Sequence, residues 1–231
     1  MRRSKVNERI RHAIAFFRTH RFALPPFAYW SLENWSDHAS RGRIGEIVEH
    51  RLGWDVTDFG QGRFDQVGLL LFTLRNGSID DLRHGGGRPY AEKVMVVGVG
   101  QVTPMHHHWS KTEDIINRGG GRLMVEVHSV GDREALGTGD VTFLTDGVER
   151  TVAAGTVVSL KPGESITLTP DIYHSFWAED DDVLAGEVST VNDDALDNCF
   201  AAEIGRFPEI EEDEAPQHLL VSDYDRFLRG H

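Results

Sequence analysis

The residues best suited to metal chemistry lie in one short segment around position 106. His106 and His108 are two residues apart, and Glu113 follows after a short turn. Side chains alternate in an extended strand, so both histidines share one face, and Glu113 can return to that face from the next strand. Two imidazoles and a carboxylate suit Mn, Fe, Zn, Co or Ni better than Ca or a thiolate cluster. The segment therefore predicts three ligands of a divalent metal ion.

A fourth ligand should come from a distant strand that faces the same interior. His174 is the natural candidate, because it lies in the aromatic run Tyr173–Trp177. Alternation points His107 to the opposite face, so His107 is interpreted as a core or surface residue. The predicted metal set is therefore His106, His108, Glu113 and His174.

The elements that must position these residues read as short strands. Turn signals separate the runs, and Asp146-Gly147 is the clearest tight hairpin. Strands with hairpin turns and no helices between them indicate an antiparallel sandwich or barrel. The predicted strands, in addition to the His106 segment, are Val67–Leu74, Tyr90–Val99, Leu123–His128, Val141–Leu144, Val148–Val152, Thr156–Leu160, Ser165–Leu168, Tyr173–Trp177 and Leu184–Val191.

Helical patterns flank this β region. Val6, Ile10 and Phe17 recur at helical spacing, a second helix is predicted to end at Gly53, and a short helix is predicted over 223–228. We interpret residues 1–231 as a single domain. It comprises a helical N-terminal extension over 1–65, a β-barrel over 66–192, and an acidic tail over 193–231 that packs on the barrel.

Composition narrows the class of partner and the compartment. The chain has 231 residues, with 24 Lys and Arg against 37 Asp and Glu, for a net charge of −13. An acidic chain is a poor match for nucleic acid or an anionic membrane, both of which attract basic surfaces. The single Cys199 cannot form an internal disulfide, which is typical of a reducing cytoplasm. We therefore expect a cytoplasmic protein without a nucleic-acid or membrane partner.

The metal segment resembles the first cupin motif, since Gly100, His106, His108, Glu113 and Gly120 fall at its defined positions. The second cupin motif is matched in part, by His174 and by the proline four residues before it. This resemblance implies an all-β dominated fold: a jelly-roll-like, antiparallel cupin β-barrel with N-terminal helices and a short C-terminal helix. Cupins perform many reactions, so the fold alone does not assign one.

Further segments resemble the bacterial D-lyxose isomerase family and extend over nearly the whole chain. They are Leu24–Trp30, Tyr90–Lys93, Pro104–Gly121, Lys161–Ser165, Gly186–Asn198 and Gly205–Glu214. The resemblance implies a usually dimeric sugar isomerase with a divalent metal, preferably Mn²⁺, held by His106, His108, Glu113 and His174. It also implies aldose–ketose interconversion of D-lyxose and D-xylulose, with D-mannose and D-fructose as secondary substrates.

Such an isomerisation needs the sugar's O1 and O2 to be held and polarised while a proton moves between C1 and C2 through an enediol. A divalent cation with open coordination positions can chelate both oxygens. Lys93 and Lys111 are the basic residues nearest the predicted site in sequence, and each can act as an acid or as a hydrogen-bond donor to a sugar oxygen. Glu113 belongs to the same catalytic group.

The carboxylate that moves the proton has several candidates: Glu187, Asp193, Glu211 and Glu214. Glu211 and Glu214 lie between two apolar segments that should press the tail against the barrel mouth. We therefore hypothesise that the tail delivers one of these two carboxylates to the substrate.

The substrate-binding wall is predicted to combine polar and aromatic groups. Lys93, Lys111 and Asp193 can bind hydroxyl groups, and an aromatic face can pack against the sugar's C–H groups. The aromatic candidates are Trp30, Trp109 and Phe176.

Two other functions share these features. The same ligand set can hold Fe(II) in a cupin dioxygenase, and a cupin can also bind a sugar without catalysis. Zn, Co, Fe and Ni remain alternatives to Mn, because the ligand types do not select among these metals. Activity without oxygen separates an isomerase from a dioxygenase.

Overall fold

The computed structural model describes residues 1–193 and 196–228. Within these residues, three of the five α-helices precede the first strand in the chain. Ser31 caps the second of them, since its side chain accepts a hydrogen bond from Asn34 N at 3.3 Å. The helices are α1 (Arg3–Thr19), α2 (Leu32–Ser40), α3 (Gly45–Glu49), α4 (Ile79–Arg83) and α5 (Tyr224–Phe227), with 3₁₀ turns at Pro26–Tyr29, Asp132–Glu134 and Val221–Asp223.

The strands pair into one antiparallel sheet that curls on itself. Its main path runs β1-β2-β3-β10-β5-β9-β6-β7, while β4 pairs with β10 and β11, and β8 pairs with β5. The strands are β1 (Gly53–Thr57), β2 (Leu69–Arg75), β3 (Tyr90–Val97), β4 (Thr103–His108), β5 (Glu113–Ser129), β6 (Val141–Thr145), β7 (Val148–Val152), β8 (Thr156–Leu160), β9 (Ser165–Leu168), β10 (Ile172–Thr190) and β11 (Asn198–Phe200).

Two long strands, β5 and β10, hold the barrel together, and they are longer than the sequence pattern predicts. Three consecutive glycines at 119–121 are typical of a turn in sequence. In the structure they lie inside β5, where its pairing register with β10 shifts. Gly120 adopts φ +95°, and a Cβ there would lie 2.0 Å from the carbonyl oxygen of Asp182. Glycine therefore allows β5 to bend against β10 without ending the strand. The predicted strands 173–177 and 184–191 are likewise two parts of β10.

The N-terminal region contributes a strand as well as helices. β1 lies within the segment predicted to be helical, and it pairs with β2 from Gly53 to Thr57. Its outer face is covered by the first helix and the turn at Pro26–Tyr29: Trp54 stacks on Phe17 and donates a hydrogen bond to the Ala28 carbonyl. The run was missed because it is short and directly follows the residues of a predicted helix, although Trp54-Asp55-Val56-Thr57 alternates apolar and polar residues.

Among the described residues, three apolar clusters stabilise this arrangement: a small one joins Trp35 and Ile44 to Leu219 and Tyr224, and two larger ones lie in and against the barrel. One fills the barrel interior, from Phe59 and Met95 to Phe143 and Phe176. The other lies between α1 and the outer face of β1, β2 and β3. The predicted fold class is confirmed: the molecule is mostly antiparallel β-structure with N-terminal helices and a short C-terminal helix. Within the described part of the chain, no helix is long and apolar enough to cross a membrane.

Candidate metal centre and active site

His106 and His108 of β4 face the barrel interior with fixed ring orientations. His106 places Nδ1 2.7 Å from the Pro104 carbonyl, and His108 places Nδ1 2.8 Å from the Asp197 carbonyl. A carbonyl oxygen only accepts hydrogen bonds, so each Nδ1 carries the ring proton. The Nε2 atom of each ring is therefore left as an acceptor, which is the form that binds a metal.

Glu113 and His174 complete the cluster from the two long strands. Glu113 is the first residue of β5, and His174 lies near the start of β10, opposite His106 in the strand register. The Oε1 atom of Glu113 lies 3.0 Å from His174 Nε2 and 3.3 Å from His108 Nε2. The ligand atoms of all four residues lie within 4.8 Å of one another, and all four side chains are buried. The structure thus brings together the four residues predicted to bind metal.

The cluster is incomplete without a cation. His174 Nδ1 lies 3.2 Å from the Ile172 carbonyl, so its Nε2 is also an unprotonated acceptor. Among the described residues, the Nε2 atoms of His108 and His174 and the Oε1 atom of Glu113 have no hydrogen-bond partner. Buried acceptors that face one another at about 3 Å repel, and each costs free energy unless a cation or donor lies between them. The residues present therefore fit a divalent transition metal, with three nitrogen ligands and one oxygen ligand.

The protonation states also favour metal binding. Burial, together with His174 and His108 as neighbours, holds the pKa of His106 well below its ordinary value, so the imidazole is neutral. Burial by itself would raise the pKa of Glu113, but the neighbouring positive charge of Lys111 holds it well below the ordinary value. Neutral imidazoles and an ionised carboxylate are the forms that ligate a metal.

A chain of buried charges leads away from the metal cluster. Lys111 Nζ lies 2.6 Å from Glu113 Oε2 and 2.9 Å from Glu187 Oε1. Lys93, directly opposite Glu187 in the pairing of β3 with β10, places Nζ 3.4 Å from the same carboxylate oxygen and donates to Asn192 Oδ1 at 2.8 Å. Lys93, Lys111 and Glu187 are each about 95% buried or more. A second carboxylate is thus held beside the metal ligands by two lysines.

Asp197 organises the turn between β4 and β5, a role that the sequence analysis did not anticipate. Its carboxylate accepts hydrogen bonds from the backbone N–H groups of Ser110 and Lys111 and from the Ser110 hydroxyl, at 2.9 to 3.0 Å. Its carbonyl orients His108. Contacts through backbone groups leave no residue pattern, and Asp193 and Asp194 precede Asp197 as equivalent acids in the sequence.

These groups surround one cavity with an empty volume of about 430 Å³ at the barrel mouth. The cavity wall includes Lys93, Lys111, Glu187 and Phe176. The two lysines and the phenylalanine are among the predicted substrate-binding residues. The C-terminal segment adds Asn198, Phe200 and Arg206 to the wall. The cavity wall thus combines metal ligands, charged side chains and aromatic rings.

The tail carboxylates lie elsewhere, which corrects the expected position of Glu211 and Glu214. Glu211 joins α1 rather than the cavity: its carbonyl accepts from Arg3 N at 2.8 Å, and its exposed carboxylate lies 3.4 Å from Arg2. Glu214 accepts a hydrogen bond from Asn7 Nδ2 at 2.6 Å. The tail segment, defined as residues 209–217, is therefore fastened along α1, because α1 carries the complementary donors.

Three further predicted substrate contacts also lie outside the cavity wall. Trp30 stacks on His38 at 4.1 Å in the helical layer. Trp109 is half exposed and packs against His107 on the opposite face of β4. Asp193 accepts hydrogen bonds from the backbone of the turn that leads to Asp197. The contacts of these residues include aromatic packing for the two tryptophans and turn hydrogen bonds for Asp193.

The chain matches known proteins along nearly its whole length. A family model described as D-lyxose isomerase matches residues 1–224. A D-lyxose/D-mannose isomerase from Serratia proteamaculans is 50% identical over 99% of this chain and 100% of its own length. One from Escherichia coli O157:H7 is 47% identical over 98% of this chain and 100% of its own length.

Solved structures share the fold at lower identity. An L-ribose isomerase from Cellulomonas parahominis, solved with L-psicose, is 18% identical with a TM-score of 0.60, covering 91% of this chain and 98% of that one. An L-ribose isomerase from Acinetobacter sp. DL28, in complex with L-ribose, has a TM-score of 0.58 at 19% identity and the same coverage. With the family model matched through residue 224 and relatives near 50% identity along the whole chain, this protein belongs to the D-lyxose isomerase family of sugar isomerases.

Proposed function

We propose that this protein is a metal-dependent aldose–ketose isomerase that interconverts D-lyxose and D-xylulose, and also D-mannose and D-fructose. The observation that carries the proposal is the set of unpartnered buried acceptors on His108, His174 and Glu113. Two of these residues, His108 and Glu113, line the same cavity as a second carboxylate, Glu187. The relatives' activity on D-lyxose and D-mannose supports the choice of substrates.

His106, His108, Glu113 and His174 would hold the divalent cation, for which we propose Mn²⁺. Bound there, the cation supplies Lewis acidity that polarises O1 and O2 of the sugar and stabilises negative charge on them. The hydrogen bonds from each Nδ1 to a backbone carbonyl fix the three rings in their ligating orientation.

Glu187 is the proposed proton-transfer base. It is buried, and Lys111 and Lys93 place their ammonium groups 2.9 and 3.4 Å from its Oε1. Its carboxylate takes the proton from C2 of the aldose to give the enediol and returns it to C1 to give the ketose. Lys111 donates a proton to O1 in the first step and recovers one from O2 in the second, so the net change is a hydrogen moved from C2 to C1 and another from O2 to O1.

Lys93 is the proposed positioning cation of the cavity. Its bond to Asn192 and its contact with Glu187 tie β3 to the end of β10. An ammonium in this place orients Glu187 and donates to a sugar hydroxyl. The ring of Phe176 and the side chain of Ile115 add apolar wall beside these charges, which keeps bulk water from the proton being transferred.

The deciding experiment is an anaerobic assay of the purified protein with Mn²⁺ and D-lyxose. We expect D-xylulose to form without oxygen, EDTA to abolish turnover, and added Mn²⁺ to restore it. An absolute requirement for oxygen would instead support a cupin dioxygenase. Sugar binding without turnover, in the presence of each of Mn, Co, Ni, Fe and Zn, would support a binding protein.

Two further expectations accompany this function. We propose a homodimer and a cytoplasmic location. The resemblance to a usually dimeric family supports the first, and the single cysteine of the chain supports the second.

A further inference from the structure

Arg206 is a cation in the cavity wall that belongs to neither the metal cluster nor the Glu187 group. Its Nη2 donates a hydrogen bond to Asp55 Oδ2 at 2.6 Å, with side-chain exposures of 11% for Arg206 and 4% for Asp55. Its carbonyl oxygen accepts a hydrogen bond from Thr57 Oγ1 at 2.7 Å. Both contacts are to β1, so the backbone and the guanidinium of Arg206 are held in place before any ligand binds.

The strand register locates this guanidinium relative to the reacting groups. Asp55 lies opposite Leu71, Leu71 lies opposite Met95, and Met95 lies opposite Ala185 on β10. Residues paired in this way share a face of the sheet, and Glu187 lies on that same face two residues beyond Ala185. From β1 to β10 there are three strand spacings, or about 14 Å of sheet. Arg206 therefore lies at the end of the cavity that is remote from the proton-transfer carboxylate.

The surface between the two ends is apolar. Leu71 and Met95 occupy the middle of this row and line the cavity, as do Phe59 and Leu69. A sugar presents C–H groups on its faces and hydroxyl groups at its edges and end. An apolar floor with polar groups at both ends therefore matches a sugar that reacts at one end and is bound at the other.

The charge balance indicates what kind of sugar fits. The carboxylate of Asp55 faces the guanidinium of Arg206, just as Glu113 and Glu187 face Lys111 and Lys93. Asp55 neutralises much of the charge of the guanidinium, which weakens its attraction for a phosphate dianion, whereas the five N–H donors of a guanidinium are enough to bind neutral hydroxyls as well. The remote end of the cavity is thus suited to a free sugar and not to a sugar phosphate.

We propose that Arg206 binds the hydroxyl groups at the non-reacting end of the sugar and selects unphosphorylated substrates. This inference rests on the proposed isomerase function. In the Michaelis complex, the guanidinium donates to a hydroxyl on C4 or C5, and Asp55 is the positioning residue that fixes its direction. Arg206 therefore contributes to substrate affinity and orientation without taking part in proton transfer.

The test measures kcat and KM of wild type, Arg206→Gln and Arg206→Lys with D-lyxose and with its 4-deoxy and 5-deoxy analogues. Loss of a charge-assisted hydrogen bond should raise KM for D-lyxose about 10- to 100-fold in Arg206→Gln, with a much smaller change in kcat. Arg206→Lys should recover part of the affinity. Arg122→Gln removes a surface guanidinium that pairs with Asp180, and it serves as the control with unchanged KM.

The analogues separate a contact from a structural effect. One of the two deoxy analogues lacks the hydroxyl that Arg206 binds. With that analogue, KM should be higher than with D-lyxose for wild type and unchanged for Arg206→Gln. Equal losses in both proteins for both analogues would overturn the inference. If Arg206→Gln does not fold, wild type alone decides, since a KM unaffected by either deoxy position contradicts the contact.

The outcomes also separate the two proposals. Wild type that isomerises D-lyxose, together with an Arg206→Gln variant of unchanged KM, overturns the role of Arg206 alone. Wild type that binds metal but turns over none of the proposed sugars overturns the proposed function, and the role of Arg206 with it. Turnover of a sugar phosphate at the rate of the free sugar would overturn the selection against phosphate.

Discussion

Two buried groups of charges in this molecule look alike in composition and differ in pairing. At the barrel mouth, Glu113 and Glu187 lie among two lysines and three histidines, and some acceptor atoms have no partner among the described residues. Between α1 and the C-terminal region, the guanidinium of Arg3 donates to both oxygens of Glu212 and both oxygens of Asp223, at 2.7 to 2.9 Å. The first group needs a cation to be complete, whereas the second is complete as it stands.

This difference separates a reactive site from a structural one better than charge or burial does. A fully paired buried ion group holds elements together, because breaking it leaves an unpaired charge. A group with facing acceptors is stable only with a ligand, so it marks a binding site. Glu211 and Glu214 were hypothesised to be catalytic because acids stood next to apolar segments, yet both belong to the paired region along α1.

Removal of one metal ligand should have the largest effect. We expect His174→Ala to lose bound metal and to lower kcat/KM on the order of 1,000-fold or more. The reason is that only three side chains would remain to hold the ion. Metal analysis by mass spectrometry and the isomerase assay measure this. His107→Gln, on the opposite face of β4, is the matched control and should retain the metal; equal metal loss in both variants would contradict the assignment.

Replacing the second carboxylate should affect chemistry and leave metal binding intact. We expect Glu187→Gln to lower kcat by about 100- to 10,000-fold, the range for loss of a general base, with normal metal content. Glu214→Gln, whose partner is Asn7, should behave as wild type. In D₂O, solvent deuterium at C1 of the wild-type product would confirm proton transfer through an exchangeable carboxyl group, and a Glu187→Gln variant with the kcat of wild type would remove Glu187 from this role.

The paired group should respond in stability rather than in chemistry. Arg3→Gln leaves Asp223 buried without its cation and should lower the free energy of unfolding by about 3–5 kcal/mol. Arg2→Gln removes an exposed pair with Glu211 and should cost less than about 1 kcal/mol. Urea unfolding of the two variants measures the difference, and equal costs would show that burial of the Arg3 pair has no special weight.

Acid should reduce the contrast between wild type and Arg3→Gln. The hydrogen bond from Arg3 lowers the pKa of Glu212 below its ordinary value in the folded state. A lowered pKa stabilises the fold above the pKa that the group has in the unfolded chain, and this stability is lost as the pH falls through the lowered value. The difference in unfolding free energy between the two proteins should therefore be largest near neutral pH and narrow below about pH 4.5. A difference that does not change with pH would mean that Arg3 acts through packing alone.

Features that depend on neighbouring residues could be predicted from the sequence, whereas contacts between distant residues could not. His106 and His108 could be placed on one face because strand alternation involves only neighbouring residues. Pairing of Arg3 with Glu212 joins residues 209 positions apart, and nothing near either residue signals the other. The length of β10 was underestimated because a bulge at Asp180–Asp182 resembles a turn in sequence. Arg206 and Asp197 were missed because each contributes to the site through a loop and through backbone contacts.

The fastening of residues 209–217 along α1 has a consequence for how the cavity is assembled. The backbone of this segment bonds to Met1 and Arg3, and the loop that supplies Arg206 to the wall lies just before it. Contacts between parts of a chain more than 200 residues apart carry a large loop-closure entropy, so we expect them to form after the local turns and hairpins. The barrel and its histidine cluster can therefore take shape first. Selectivity for the far end of the sugar arises only when the two most distant stretches of the polypeptide meet.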